Sequence, residues 1–503
     1  MRQQGTIRPE DYFTRNWSLT GVRPSRDSVV LRVLMTNDFH GALLPKVQSW
    51  SNGRAVGGAA AIAGMMNRLA AECGCPTIRL DGGDVMQGTP ISNLTYGRSS
   101  VDAFNAMGYA AAAIGNHEFD WSVDTLAARA AQARFAWLSA NIRETATGAV
   151  PRWTAPWRMV SAGPLRIAVV GYTTATTPTT TRPQNVASLR FDDGVRRVDS
   201  VIAAARAESP DFVIVVAHSG AFCGRDTACE GEIIDLANAL QHRPDLIVAG
   251  HTHALVGTIA NGIPIIEARS SGSAIGIVDF VVQAGSRVAQ LRSETVWTDQ
   301  EQPDTTVARV VDAHRRQTER IANRSIMALQ SPLVRRGDQY PLGNLIADAF
   351  RAAARADVAV VNNGGIRADL PAGAVNWGAL FEVMPFQNFV VRMPVTGAVL
   401  RRAIEHAAAG GEARAHVSGV RVRVNPQAPP GARITALTLE DGRPVEDSAR
   451  YTLAVPDFMA AGGSGYTMLR GLPAENTGTV DLDAFIDYAR RLPQPVRNLP
   501  TEP

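Results

Sequence analysis

From residue 29 to about 298 the chain is a series of short apolar runs, each closed by Gly, Asp, Asn or His: "VVLRVLMTN", "TIRLDGGD", "AAAIGNHE", "LRIAVVGYTT", "DFVIVVAHSG", "DLIVAGHTH", "IPIIEARSSG" and "GIVDFVV". A run of a few apolar residues without polar alternation reads as a strand buried on both faces. Between several of them, Ala-rich stretches at 59–71, 123–133 and 231–240 read as helices. Strands alternating with helices predict an α/β layered domain over 29–300, two packed sheets flanked by helices. Residues 303–324, "PDTTVARVVDAHRRQTERIANR", open on Pro-Asp-Thr and continue with charge on one face, which predicts a connecting helix within 301–325. Beyond it, "GNLIADAFRAAARA", "VAVVNNGGIR", "TGAVLRRAIEHAAAG" and "YTLAVPDFMAAGGSGY" mix helices, strands and glycine-rich loops in a second, smaller α/β domain, 326–503. Residues 1–28 are left as an N-terminal extension.

Composition narrows the class. At 503 residues the chain exceeds what one hydrophobic core usually supports, in agreement with two domains. A net charge of +3 is too small for this length to point to a nucleic-acid polymer or a membrane surface. No stretch approaches the roughly 20 apolar residues of a membrane span. The opening "MRQQGTIRPEDYFTRNWSL" lacks the basic region, apolar core and cleavage site of a secretory signal, so the chain reads as intracellular, already trimmed, or begun at another Met. Cys223 and Cys229 are spaced to close a small disulfide loop or to stay free; Cys73 and Cys75 are too near each other for an easy bridge.

The polar residues at the strand ends carry the chemistry. They are Asp38 and His40 in "NDFH", Asp84 in "GGD", Asn116 and His117 in "GNHEFD", His218 in "AHSG", and His251 and His253 in "GHTH". A single His after a strand is usually a satisfied structural residue, but five of the nine histidines fall in the same kind of place. Carboxylate and neutral imidazole are both good ligands for a borderline divalent ion. With Asp38, Asp84 and Asn116 these positions suffice for two four-coordinate sites sharing one bridging carboxylate.

"TNDFHG", "DGGD", "GNHEFD", "VVAHSG" and "GHTH", in this order, resemble the metallophosphatase domain of the 5'-nucleotidase family, the two-domain branch of the calcineurin-like phosphoesterases, and "SANI" at 139–142 also fits it. The resemblance implies one ion held by Asp38, His40, Asp84 and His253 and a second by Asp84, Asn116, His218 and His251, the metals being Zn, Mn, Co or Fe. Some relatives carry Gln where this chain has His253. The implied reaction is phosphoester hydrolysis, of nucleoside 5'-monophosphates first, by attack of water activated at the ions. Nucleotide sugars, 2',3'-cyclic nucleotides and a protein-linked thiosulfonate are the alternatives within the family, and an inactive nucleotide-binding protein is the alternative of another class. His117 is implied as the group that stabilises the transition state, with Asp120 holding its other nitrogen; the competing reading of Asp120 is a helix N-cap before "WSVDTLAARA".

The second domain is implied to supply substrate binding. "VNNGGIR" matches the family's "NGGGIR" and carries over Asn362 and Arg367; Arg336 in "VRRGDQYPLGN" stands at another anion-binding position. Phe386 and Phe458 match two aromatics that clamp a base, although either alone would more often be core. Glycines near 364, 419 and 462, Gly419 among them, would let backbone approach a ligand. In "GGSG", Ser464 replaces a ribose-binding Asp of the relatives. The implied partner is a small nucleotide, and the implied location is periplasmic or extracellular, with a cytoplasmic one the alternative.

Overall fold

The computed structural model describes residues 15–17, 29–48, 50–192, 194–224, 228–283, 286–337, 339–411 and 414–497. These form two compact units: one takes in the chain up to Pro178 together with Gln184–Gln317, the other Thr179–Pro183 together with the chain from Thr318 onward. The helix expected near 303–324 runs Thr305–Ala322, and the division falls inside it.

In the first unit, seven strands lie in the order Arg15–Trp17, Ser286–Thr295, Ala274–Gln283, Val29–Thr36, Thr77–Asp81, Ala111–Ala113, Ala136–Leu138. Six more form a second sheet in the order Leu255–Ala260, Ile263–Ala268, Leu246–Val248, Phe212–His218, Leu165–Thr173, Trp157–Ala162. The continuous apolar runs have a simple cause. Val33 and Met35 join Ile214 and Val216 in the core between the sheets, while Leu34 turns outward to Ile62, Met66 and Phe104. In the same way Val213 and Val215 face out to Val198, Ile202 and Ile233. Side chains alternate across a strand, so a strand covered on both faces needs apolar residues at every position. The result is four layers, helix, sheet, sheet, helix.

Two expectations are corrected. Arg15–Trp17, set aside within the extension 1–28, is an edge strand paired antiparallel with Leu291–Ser293; the rest of 1–28 lies outside the described residues. Cys73 and Cys75 are bridged, their Cα atoms 5.1 Å apart, because Gly74 between them takes a left-handed turn (φ 62°) at the end of the helix Ala59–Cys73. Cys223 pairs with Cys229, so no cysteine is free among the described residues. Among those residues no helix is long and apolar enough to cross a membrane.

The second unit is built on a sheet in the order Ala415–Ser418, Val358–Asn362, Arg450–Pro456, Phe389–Thr396, Glu475–Val480. Ala359 and Val361 face Leu342, Ile346, Phe350 and Phe485 of the helices Pro341–Ala354 and Asp481–Arg491. Val358 and Val360 face Leu400 and Ile404 of the helix Gly397–Ala407.

Candidate metal centre

The ligand-type residues of the first unit all follow strands whose C-terminal ends share one edge of the two sheets. Thr36, Asp81, Ala113, His218 and Val248 end their strands, and the residues just beyond turn inward. Doing so bends the backbone into an unusual region: Asp38, His40, Asp84, His251 and His253 all have φ between 49° and 80°. Left-handed backbone is uncommon for residues other than Gly, and a cluster of such residues marks a place where surrounding structure imposes geometry for a purpose. Gly115 shows how tight the packing is, since a Cβ there would lie 2.1 Å from Asp84 Oδ1.

Asp38, His40 and His253 bring their ligand atoms together in one group, and Asp84, His218 and His251 in another. His40 Nε2 lies 3.1 Å from His253 Nε2, and His253 Nε2 3.3 Å from Asp38 Oδ1. In the second group His218 Nε2 lies 3.1 Å from each of His251 Nδ1, Asn116 Oδ1 and Asp84 Oδ2. Asp84 Oδ2 also stands 3.8 Å from His40 Nε2, so this one carboxylate reaches both groups.

The tautomers follow from the backbone. His40 Nδ1 meets the Gln87 carbonyl at 2.8 Å and His218 Nδ1 the Gly82 carbonyl at 3.0 Å. A carbonyl only accepts, so both Nδ1 atoms carry hydrogen and both Nε2 atoms face the cluster, each with a lone pair whenever its ring is neutral. Ring nitrogens of neighbouring histidines therefore face one another at 3.1 Å. Two nitrogens bound at about 2.0–2.1 Å to one tetrahedral ion stand roughly 3.3 Å apart, so the spacing and the nitrogen–carboxylate donor set fit a divalent metal.

The charge pattern agrees. Burial opposes a charged His218, yet Asp84, Asp38 and Glu118 outweigh it and push its imidazole up to about 10, while burial and the neighbouring His218 push His251 down to about 4. The cluster favours cationic charge at its centre.

His117 and Asp120 stand beside the ligands. His117 N–H donates to Asp84 Oδ1 (2.9 Å), its Nδ1 meets Asp120 Oδ2 (2.7 Å), and its Nε2 lies 4.0 Å from Asp84 Oδ2. The helix Val123–Gln132 is capped instead by Ser122, whose Oγ accepts from Thr125 N–H.

Two supporting residues escaped the sequence reading. Glu118 is fully buried and accepts from the N–H groups of Gly115, Asp84, Val85 and Met86 at 2.7–3.2 Å, which shapes the loop carrying Asp84. Burial, then Asp84, pushes its carboxyl up to about 7. Asn37 donates to Asp38 Oδ2 (2.7 Å) and accepts from Ala268 N–H (2.8 Å). The position of Glu118 inside "GNHEFD" was a signal; that its oxygens would serve backbone N–H groups was not.

In the second unit, Asn362, Phe386 and Phe458 leave the sheet at one end: Asn362 ends its strand, Phe458 follows the parallel strand ending at Pro456, and Phe386 precedes the antiparallel strand starting at Phe389. Asn362 Nδ2 donates to Ser464 Oγ at 3.3 Å, and Phe458 lies over Gly463. The Arg367 guanidinium stands 5.7 Å from the Phe386 ring centre. Both aromatic rings are half-buried rather than core. Arg182, from the segment Thr179–Pro183, donates to the carbonyls of Phe386 and Gln387 and was not foreseen. Arg336 is exposed, and its neighbour Arg335 takes the ion pair with Asp369 (3.1 Å). Gly419 stands apart from this set. Ser418 pairs with Ala359 and Ala415 with Asn362, so Gly419 lies at the opposite end of the ladder, where its close approach is to the Asp357 carbonyl and not to a ligand-facing loop.

Comparison with known proteins agrees with this division. Residues 31–255 match the family described as "Calcineurin-like phosphoesterase" and residues 310–471 the one described as "5'-nucleotidase, C-terminal domain". The chain is 28% identical to a 5'-nucleotidase of Vibrio vulnificus, over 92% of its own length and 90% of the relative's. It is 27% identical to Endonuclease YhcR of Bacillus subtilis over 94% of its own length, but spans only 40% of that protein. The crystal structure of a 5'-nucleotidase precursor from Thermus thermophilus superposes with a TM-score of 0.80 at 26% identity, covering 92% of this chain and 96% of that one. With each unit matched in its proper place, the chain belongs to the 5'-nucleotidase family of two-domain calcineurin-like metallophosphoesterases and is a metal-dependent phosphoester hydrolase.

Proposed function

We propose that this protein hydrolyses nucleoside 5'-monophosphates to nucleoside and phosphate at a centre of two divalent ions. The observation that carries the reading is Asp84, whose Oδ2 reaches the imidazoles of both ligand groups. One ion would be held by Asp38, His40, Asp84 and His253, the other by Asp84, Asn116, His218 and His251. Bound there, divalent ions supply an activated water and neutralise charge on the phosphoryl oxygens.

The remaining steps belong to side chains. Asp120 accepts the Nδ1 proton of His117, which orients the ring and stabilises its protonated form. His117 Nε2 then offers a hydrogen to the charge that develops on phosphoryl or leaving oxygen. Arg336 and Arg367 bind substrate anion, Phe386 and Phe458 stack the base, and Asn362 and Ser464 take the sugar. A periplasmic or extracellular location is supported by the two disulfides, which persist in oxidising compartments.

The test is phosphate release from a panel of nucleoside mono- and diphosphates, nucleotide sugars and 2',3'-cyclic nucleotides, with and without added manganese, cobalt or zinc. A metal-dependent preference for 5'-monophosphates is expected. Faster release from a cyclic nucleotide or a nucleotide sugar would reassign the substrate, and activity untouched by chelators would overturn the metal reading.

A further inference from the structure

The glycine-rich turn at 462–465 is gripped from three sides. Phe458 covers Gly463, where a Cβ would stand 2.4 Å from its ring, and Arg470 lies against Gly462. The third contact is His406, in the last turn of the helix Gly397–Ala407. Its ring stands 3.0 Å from where a Gly465 Cβ would be, packs edge-on against Tyr466 with centroids 4.6 Å apart, and places Nε2 2.9 Å from the Ser464 carbonyl oxygen. Because that oxygen only accepts, His406 donates.

Ser464 sits at φ 51°, a backbone region that favours glycine, between two glycines that give the turn no side-chain packing of its own. Its conformation therefore has to be held from outside. The direction of its hydroxyl depends on that hold, and it points to Asn362, whose amide donates to it at 3.3 Å.

We propose that His406 is a positioning residue for sugar recognition: by holding the Ser464 carbonyl it keeps the Ser464 hydroxyl beside the Asn362 amide, as a paired polar contact for the hydroxyls of the substrate's sugar. The substrate in this statement rests on the nucleotide reading above; the positioning rests on the contacts of the turn. His406 touches no reacting atom and acts through Ser464 alone.

The experiment compares kcat/KM for adenosine 5'-monophosphate with that for its 2',3'-dideoxy analogue, in the full-length metal-loaded enzyme, with 4-nitrophenyl phosphate as a sugar-free reference. A neutral hydrogen bond is worth a factor of roughly 2 to 12, so His406→Phe should erase a sugar preference of about that size through KM. His406→Gln, whose amide can donate to the same carbonyl, should restore at least half of it. In a Ser464→Gly background, which relieves the strained φ and removes the hydroxyl, His406→Phe should change the ratio no further. A ratio that His406→Phe leaves intact, or lowers equally in the Ser464→Gly background, overturns the positioning role. A wild type that cleaves 4-nitrophenyl phosphate as well as the nucleotide overturns the nucleotide reading itself, and a nucleotide preference with no sugar preference overturns this proposal alone.

Discussion

His117 Nδ1 and Asp120 Oδ2 stand 2.7 Å apart on a single turn, with both side chains about nine-tenths buried. The carboxylate fixes the orientation of the ring, and the proposed chemistry falls to Nε2. On the proposed two-ion mechanism, His117→Ala should therefore lower turnover by roughly a hundredfold or more without loss of metal, and Asp120→Asn by about tenfold. Metal content by atomic emission is the control. Loss of metal from His117→Ala would move that residue among the ligands. Asp84→Asn should release metal outright, since the one carboxylate that reaches both groups loses its charge.

The family resemblance implies an Asp at the position of Ser464, so on the proposed function its contact with a sugar would lack charge assistance. The wild type should prefer a ribonucleotide over its dideoxy analogue by no more than about tenfold, the reach of a neutral hydrogen bond. Ser464→Asp should widen that preference by about ten- to a hundredfold in kcat/KM without changing metal content. A strong ribose preference already present in the wild type would mean that another group holds the sugar.

Arg32 lies in the core of the seven-stranded sheet, and its guanidinium grips Asp279 through Nε and Nη2 at 2.6 and 2.8 Å, with both residues buried. Asp279 also accepts from Arg292 Nη1 (2.8 Å), so it is the removal of Asp279 that strands a charge, that of Arg32, away from water. Asp279→Ala should cost about 3–5 kcal/mol of stability, read from denaturant midpoints, whereas Arg32→Met with Asp279→Leu should cost far less. Equal losses in the two variants would show that packing, not charge, dominates there.

Asp481 is fully buried, and burial, reinforced by Asp457, pushes its carboxyl up to about 7 from 3.8, against the opposing N–H groups of Leu482 and Asn388 and the Arg182 cation. Between about pH 4 and 7 the folded chain holds a proton there that the unfolded chain has released. Stability from this group thus falls as pH rises through that window and is flat above it. Measured without metal, the melting temperature of Asp481→Asn should gain on the wild type from pH 5 to pH 8. A constant difference would show that Asp481 ionises freely in the folded chain.

The strands were legible because burial on both faces writes itself into sequence as uninterrupted apolar runs, and the candidate metal ligands because they follow those runs. What stayed hidden depends on contacts between distant segments. The helix Gly194–Ala207 interrupts its apolar stripe of Val198, Ile202 and Ala205 with one Arg pair, Arg196 and Arg197, and with Asp199 and Arg206, which weakened its pattern. Glu118 looks like any acidic residue until four N–H groups converge on it. Gly419 carried a real demand for glycine, but its left-handed φ and its closeness to Asp357 belong to packing, and sequence alone does not tell that from closeness to a ligand. Cys73 and Cys75 needed the left-handed Gly74 to meet.

The pairing of Arg15–Trp17 with Leu291–Ser293 bears on how the molecule keeps to itself. An outer strand with open N–H and C=O groups is a template on which a second molecule can add its own strand. A form trimmed at Val29, where the apolar pattern first becomes regular, would bare the backbone of Leu291–Ser293 within the strand Ser286–Thr295. Such a form should self-associate with rising concentration while its catalytic turnover per molecule is unchanged, the outcome expected if those three residues shield the sheet edge and take no part in the chemistry.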